Sequence, residues 1–495
     1  MTTTSPSATS RYSNLKIPRT DLASLFRHFG PGMILMMTGI GTSHLITAPT
    51  AGGRFAYELL WCIPIAYLSK YYGFEAAFRF THATGKSLLE AYATAWGKWP
   101  LWYVLITTLI QSAIGQAGRL IAASAVLYYF FDVAFGIELP MAIYGLFLGV
   151  VSVCVILGGS YHALETITKF LAGILFVSTI AVYFVKPVPF ETLEYFVSFS
   201  VPDGSWLVVA AFLGLLPTGI DVSLQASEWG KAKGVGMGKI RPSLERDGLT
   251  NTFDPFKPNL KDLAVHSQRL PTNVRKYCAQ WYKIGLLDFR LGHIVSFILA
   301  TIFLLLAAVW LYPSPITGRA VIGEIAGIFT KSVGPWMMML FLIGAFAATF
   351  STAFNYFDGW PRIVGACCRN LFRSTAQLQG VAATNLSPDH RRKWCSEYNI
   401  YRGTMIFSLL SAVGIIAGMP RPVFLVLVAS ALAFVIAPAI FFFNIYYCMT
   451  VIPKQDRLFY PSRITVWLSW FSLIIFSGTT ALLILTRLWG INLFG

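Results

Sequence analysis

The chain reads as an all-α integral membrane protein of about eleven spans, arranged as two five-helix units of opposite orientation. Three observations predict that class. The 495 residues are 56% hydrophobic and 12% charged, about half the charged share of a soluble globular protein. Apolar runs long enough to cross a bilayer recur near 31–50, 55–79, 100–131, 139–157, 167–185, 205–228, 291–312, 334–357, 403–419, 421–449 and 464–486. The runs that lead the two halves each break in the middle, the first at Gly39-Ile40-Gly41-Thr42-Ser43-His44 and the sixth at Leu216-Pro217-Thr218-Gly219-Ile220-Asp221. Backbone that cannot complete its helical hydrogen bonds at membrane depth is tolerated only where it is buried in protein or lines a cavity. Paired breaks of this kind point to a transporter's substrate site.

Spans one to five and six to ten form the units, and an odd count of five forces the second to enter the membrane inverted. The transporter core covers 30–450, with repeat one over about 30–186 and repeat two over about 205–450. Residues 1–29 form a polar, Ser/Thr-rich tail without a short apolar signal segment, and 451–495 hold a loop and the eleventh span. Only Pro420 divides spans nine and ten. The third span of each unit is polar, with Gln111, Gln116 and Arg119 in span three and Asn355 and Asp358 in span eight. Two long inner loops, 229–290 and 361–402, read as solvated linkers, with Tyr277 to Phe289 able to lie on the membrane surface.

A net charge of +16 would suit a nucleic-acid binder, but 30 of the 38 Lys and Arg residues fall on the inner side when the N-terminus is cytosolic. That is the positive-inside bias of a membrane protein, so the expected partners are the bilayer and a transported ion or solute, not nucleic acid. The orientation puts the C-terminus outside, and the expected location is the plasma membrane. Seven scattered Cys form no C-x-x-C pair, so no metal framework or disulfide scaffold is implied. Thr84-Gly85-Lys86-Ser87 resembles the tail of a phosphate-binding loop, but Phe80 stands where the leading Gly belongs and a membrane span precedes it. No hydrolase or metalloprotease pattern appears, so the chain reads as a carrier with no resident cofactor and not as an enzyme.

At the second break, Pro217 has no N–H, so the Leu213 carbonyl loses its helical partner. A freed carbonyl facing a cavity is an ordinary ligand for a hard cation; a simple proline kink is the plain alternative. His44, directly after Thr42 and Ser43, could bind a metal, carry a proton, or serve as a hydrogen-bonded core residue. Asp221 is costly at membrane depth and needs a partner, water or substrate; capping the half-helix that follows would also satisfy it. Asp358 stands four residues before Arg362, and Glu75 four before Arg79, spacings that suit local ion pairs. Arg119 has no acid within a turn and is the better candidate for a polar network.

With these residues in hand, the chain resembles the Nramp family of divalent-metal/proton symporters. The likeness runs over most of 27–450: Gly30-Pro31-Gly32 opening span one, Ala51-Gly52-Gly53-Arg54-Phe55-Ala56-Tyr57-Glu58 approaching span two, Thr84-Gly85-Lys86-Ser87-Leu88 after it, and Leu164-Glu165-Thr166-Ile167-Thr168-Lys169 at the start of span five. The block Leu216 to Ser223 and the run Phe350-Ser351-Thr352 with Asp358-Gly359 look like a divergent, mainly prokaryotic branch. The resemblance implies a LeuT-type fold. It also implies a metal site, and there the chain departs from the family. The Asp-Pro-Gly-Asn signature of span one falls on Gly41-Thr42-Ser43-His44 or on Thr42-Ser43-His44-Leu45, neither with an acid. In span six Leu216 stands for the metal-binding Met and Thr218 for the His after Pro, while the family's backbone ligand falls on Leu213. Loss of the thioether removes the soft ligand.

The expectation is therefore a secondary transporter of divalent metal coupled to protons, with Gly41, Thr42, Ser43, His44, Leu213, Leu216, Thr218 and Asp221 at the site. Gln111, Gln116, Arg119, Asn355 and Asp358 would form the flanking polar network or proton path. The alternatives are the same fold carrying a small organic solute, or a transport-inactive sensor or scaffold.

Overall fold

The computed structural model describes residues 12, 15–21, 24, 28, 41–94, 96–158, 173, 175–254, 257–314, 321–372 and 396–488. Gly30-Pro31-Gly32, Gly39, Ile40 and the stretch Leu164 to Lys169 lie outside them. The described residues contain helices and no strand.

Residues 42–55 are helical throughout, first as a π turn over Ser43–Thr47 and then as α1, Ala48–Phe55. Of the break expected at Gly39 to His44, the described part from Thr42 onward is a π turn that leads into α1. Ala56, at φ 49°, ends it. Helix α2, Cys62–Thr84, stops at Gly85, whose φ of 66° is the left-handed C-cap that glycine adopts without strain. Glu90 then supplies one half of a capping box, its Oε2 accepting from Ser87 N–H at the start of the short α3, Leu88–Tyr92. The Thr84 to Ser87 motif is therefore a helix stop followed by a helix start.

Helix α4, Trp99–Phe135, carries a π turn at Gln111–Gly115, on its polar stretch. Helices α5, Met141–Leu157, and α6, Leu175–Val185, are shorter apolar elements. Span six is split as expected: α7, Trp206–Leu215, ends in the extended residue Leu216, and α8, Val222–Lys233, begins after Asp221.

The loop 229–290 is not a solvated linker. It contains α9, Met237–Arg246, whose Arg241 is 1% exposed and donates to the backbone carbonyls of Thr84 and Leu263 at the C-terminal end of α2. Tyr277 to Phe289 does not lie along the membrane surface either. It is the first part of α10, Thr272–Trp310, a continuous helix that buries Tyr277, Tyr282 and Phe289 and extends span seven at its N-terminal end. Its 39 residues span about 58 Å at 1.5 Å per residue.

An unforeseen amphipathic helix, α11, Val321–Ser332, follows, with Val321, Ile322, Ile325, Ile328 and Phe329 on its buried face. Then come α12, Met337–Phe372, α13, Glu397–Gly418, α14, Pro422–Val451, and α15, Arg463–Leu488.

Six described helices are long and apolar enough to cross a membrane: α4, α10, α12, α13, α14 and α15. Helix α2 has the length but carries Lys70, Glu75 and Arg79, and its Glu75–Arg79 ion pair is formed. Spans one and six are broken or bulged, and α5 and α6 are short. Large apolar side chains on the outside of the bundle, among them Phe147, Phe184, Ile343, Leu410 and Ile474, are exposed, as a surface facing lipid requires. Inside, α1 packs on α10, and α7 packs between α14 and α2. The break in span six therefore lies in the middle of the bundle.

Candidate functional site

The break is built from the backbone outward. Leu216 N–H still reaches the Phe212 carbonyl at 2.9 Å, but an unbroken helix would next have Thr218 N–H donate to the Gly214 carbonyl. Here that carbonyl accepts instead from the side-chain amine of Lys70 on α2, with Nζ 3.0 Å from Gly214 O and 3.0 Å from Thr218 O. Lys70 is fully buried. The face of α2 that presents it also presents Gly73, where an added Cβ would come within 2.9 Å of Ile220 and 2.6 Å of Phe441. A small residue at position 73 lets α2 approach the break closely enough for Lys70 to enter it.

Asp221 does not cap α8 with its side chain. Its carboxylate folds back over Gly219, where an added Cβ would sit 2.2 Å from Oδ1, and Oδ2 accepts from the Trp360 indole N–H at 3.1 Å. Both Lys70 and Arg119 lie within electrostatic reach of it. Thr218 Oγ1 and the Tyr356 hydroxyl are 3.0 Å apart. Arg119 stacks over the rings of Tyr356 and Trp360 at 3.7 and 4.9 Å. Its Nη1 donates to the Gly115 carbonyl at 2.8 Å, and the guanidinium also lies within hydrogen-bonding reach of the Tyr356 hydroxyl. Both polar atoms of the Gln111 amide are buried without hydrogen-bond partners.

The residues expected at the site thus separate into three groups. Leu213, Leu216, Thr218 and Asp221 lie at the break, and Arg119 approaches it from α4. Gln116 is tied to the Ala353 carbonyl at 3.0 Å, a link between the third spans of the two units, and Asn355 is buried one turn before Asp358. Asp358 itself belongs to another cluster. It accepts from Trp229 Nε1 at 2.9 Å, Arg362 Nε at 2.7 Å and the Tyr401 hydroxyl at 2.6 Å, joining α8, α12 and α13. Gly41, Thr42, Ser43 and His44 form the third group, on the bulged helix. An added Cβ at Gly41 would meet Thr352 Oγ1 at 2.0 Å, so this segment rests on α12.

His44 Nε2 is 2.9 Å from the Ser296 carbonyl and 3.1 Å from the Tyr67 hydroxyl, and Nδ1 is 2.9 Å from Ser43 Oγ. A carbonyl only accepts, so Nε2 carries the proton and, in the neutral ring, Nδ1 accepts from Ser43. The imidazole therefore joins span one to spans two and seven. Among the described residues, no group of three or more His, Cys, Asp or Glu side chains is placed to hold a metal ion.

A sequence model described as natural resistance-associated macrophage protein-like matches residues 32–486. The chain belongs to the Nramp family. An uncharacterized protein of Pasteurella multocida (strain Pm70) is 23% identical over 356 residues, which cover 70% of this chain and 72% of that protein. Among solved structures, a mutant of the Eremococcus coleocola manganese transporter aligns with a TM-score of 0.63 at 12% identity, covering 97% of this chain and 91% of the other. The nucleobase-cation-symport-1 family transporter Mhp1 aligns with a TM-score of 0.52 at 13% identity, covering 92% and 86%. At such identities the likeness speaks to fold, which is the LeuT-type transporter fold. This Nramp chain is a multi-pass membrane transporter and not an enzyme.

Lys70, Tyr356 and Trp360 were not among the residues expected at the site. A signal for Lys70 was present, since an ionisable residue inside a membrane span is a functional candidate by default. Tyr356 and Trp360 gave none, because aromatic residues are common in any apolar span.

Proposed function

We propose that this Nramp chain is a secondary active transporter of divalent metal cations, with the cargo bound at the break of span six. The observation that carries this reading is the split of α7 from α8 beside a buried carboxylate, in a chain of this family. The metal comes from the family and from the manganese transporter of like fold. Asp221 carboxylate, Thr218 hydroxyl, Tyr356 hydroxyl and the Leu213 carbonyl would supply oxygen only, with Leu216 and Gly41 to His44 lining the approach. Oxygen ligands favour a hard ion such as Mg²⁺ or Mn²⁺ over softer transition metals. Protons are the coupling ion, and Asp221 is the residue proposed to exchange them. The chain would sit in the plasma membrane with its N-terminus in the cytosol, as the positive-inside bias indicates.

One observation favours a second reading, a small organic carboxylate as cargo. The Gln111 amide is buried without a hydrogen-bond partner, and the Arg119 guanidinium and the Lys70 amine lie at the break as further donors. Such donors match an oxyanion better than a dication.

Calorimetric titration of the purified protein with Mn²⁺ and then Mg²⁺, beside Asp221→Asn, separates the two. Saturable binding that Asp221→Asn loses supports the metal reading. A folded protein that binds neither ion, but binds a carboxylate solute and loses it in Arg119→Gln, establishes the second.

A further inference from the structure

We propose that Lys70 is a built-in monovalent cation, occupying a cation site that the broken backbone of span six would otherwise offer to an ion from solution. The carbonyls of Gly214 and Thr218 are four residues apart, and both point to Nζ at 3.0 Å. In a continuous helix the first would accept from Thr218 N–H. The break removes that donor, and at membrane depth a buried carbonyl without one is costly.

A single ammonium repairs both sides of the break, since it serves Gly214 in the last turn of α7 and Thr218 in the connecting segment. It also fixes their separation, so α7 and the segment leading to α8 are held in register from a third helix. Asp221 is within electrostatic reach of Nζ, and the other titratable groups near the pair are Arg119, His293 and Tyr356. Two carbonyl oxygens beside a carboxylate are what a bound alkali or ammonium ion would be given; here the ion is on a four-carbon tether. The assignment is independent of which cargo crosses, and it predicts that the fold of the break needs no added monovalent ion.

The test is thermal unfolding in detergent of wild type, Lys70→Ala, Lys70→Met and Lys70→Arg. Each is measured in sodium, potassium, methylammonium and choline chloride at equal ionic strength. Wild type and Lys70→Arg should behave alike in all four salts. Lys70→Ala should lose Tm in choline and recover at least half of that loss, saturably, in one of the small cations. Lys70→Met fills the space with an apolar chain and should show no recovery. The proposal is overturned if Lys70→Ala is indifferent to the cation, if wild type shares its sensitivity, or if Lys70→Arg fails along with the neutral variants. Failure of Lys70→Ala in every salt while Lys70→Met unfolds like wild type also overturns it. Should only wild type and Lys70→Arg yield folded protein, the need for a bridging cation is supported.

Discussion

The guanidinium of Arg119 lies 3.7 Å from the centre of the Tyr356 ring and 4.9 Å from that of Trp360, two rings that are themselves 4.3 Å apart. A flat, delocalised cation suits this pair of faces in a way that a compact ammonium does not. Lys in its place keeps the charge near Asp221 but loses the stack. Lys at 119 should therefore lower stability by about 1–2 kcal/mol, the scale of a desolvated cation–π contact. Thermal unfolding of Arg119→Lys beside Arg119→Met checks it; two variants as stable as wild type would remove the stack from the account of the site.

Asp358 holds three donors from three helices, Trp229, Arg362 and Tyr401. Removal of a buried carboxylate leaves those donors unmatched, and buried pairs broken from one side cost about 3–5 kcal/mol. Arg362 is 42% exposed in its side chain and can turn to water, so the lower end of that range is expected for Asp358→Ala. Asp358→Asn keeps one acceptor and should lie between. Cargo affinity, measured by the same titrations that test Asp221, should be unaffected in both, because Asp358 is not part of the break cluster.

These two sites show what the chain's residues disclose on their own and what they do not. Pro217 and Gly219 announce the break of span six because the missing N–H and the missing Cβ act locally, whatever surrounds them. The spacing of Asp358 and Arg362 likewise announces an ion pair within one helix. Nothing local says that residues 42 to 47 lead into α1 through a π turn; that depends on contact with α12 and α10. The basic and aromatic stretch from Tyr277 to Phe289 has the composition of a surface segment, yet Tyr277 is buried and Tyr282 and Phe289 pack on Phe459 and Phe78, far away in sequence. Lys70 and Arg119 are visible as charges within spans, but their partners are carbonyls and ring faces on other helices. Those pairings are set by helix register, which the linear pattern does not contain.

Gly52 carries a prediction about packing. It lies one turn after Ala48 on α1, and a Cβ at position 52 would sit 2.2 Å from the Leu304 carbonyl of α10. Small residues four apart allow membrane helices this close an approach. The neighbour is backbone, so no rotamer change can relieve the clash, and overpacking of this kind costs about 1–3 kcal/mol or more. Gly52→Ala should reduce the yield of monodisperse protein and lower Tm. Gly97→Ala offers a control at a turn where no atom lies near the added Cβ. There the φ of 60° gives a strain of purely local origin, and the loss should be the smaller of the two.

Glu90 supplies the pH dependence, and it lies on the short α3, outside the spans. Its Oε2 accepts from Ser87 N–H at 2.8 Å and its Oε1 from the Lys231 ammonium at 2.9 Å. Burial pushes the carboxyl up, but Lys231 and Lys86 beside it more than offset that, and the net position is below the ordinary glutamate value. A carboxyl lowered on folding contributes stability that is complete above its unfolded value, about 4.3, and lost as pH falls through the folded one. Glu90→Gln should therefore cost about 1–3 kcal/mol at neutral pH, the scale of hydrogen bonds to a charged group. The gap between wild type and variant should close as pH is lowered below that unfolded value. Tm measured from pH 7 down to pH 3 decides it. A gap that stays constant across the range would assign the loss to the capping box alone, with no contribution from the Lys231 pair.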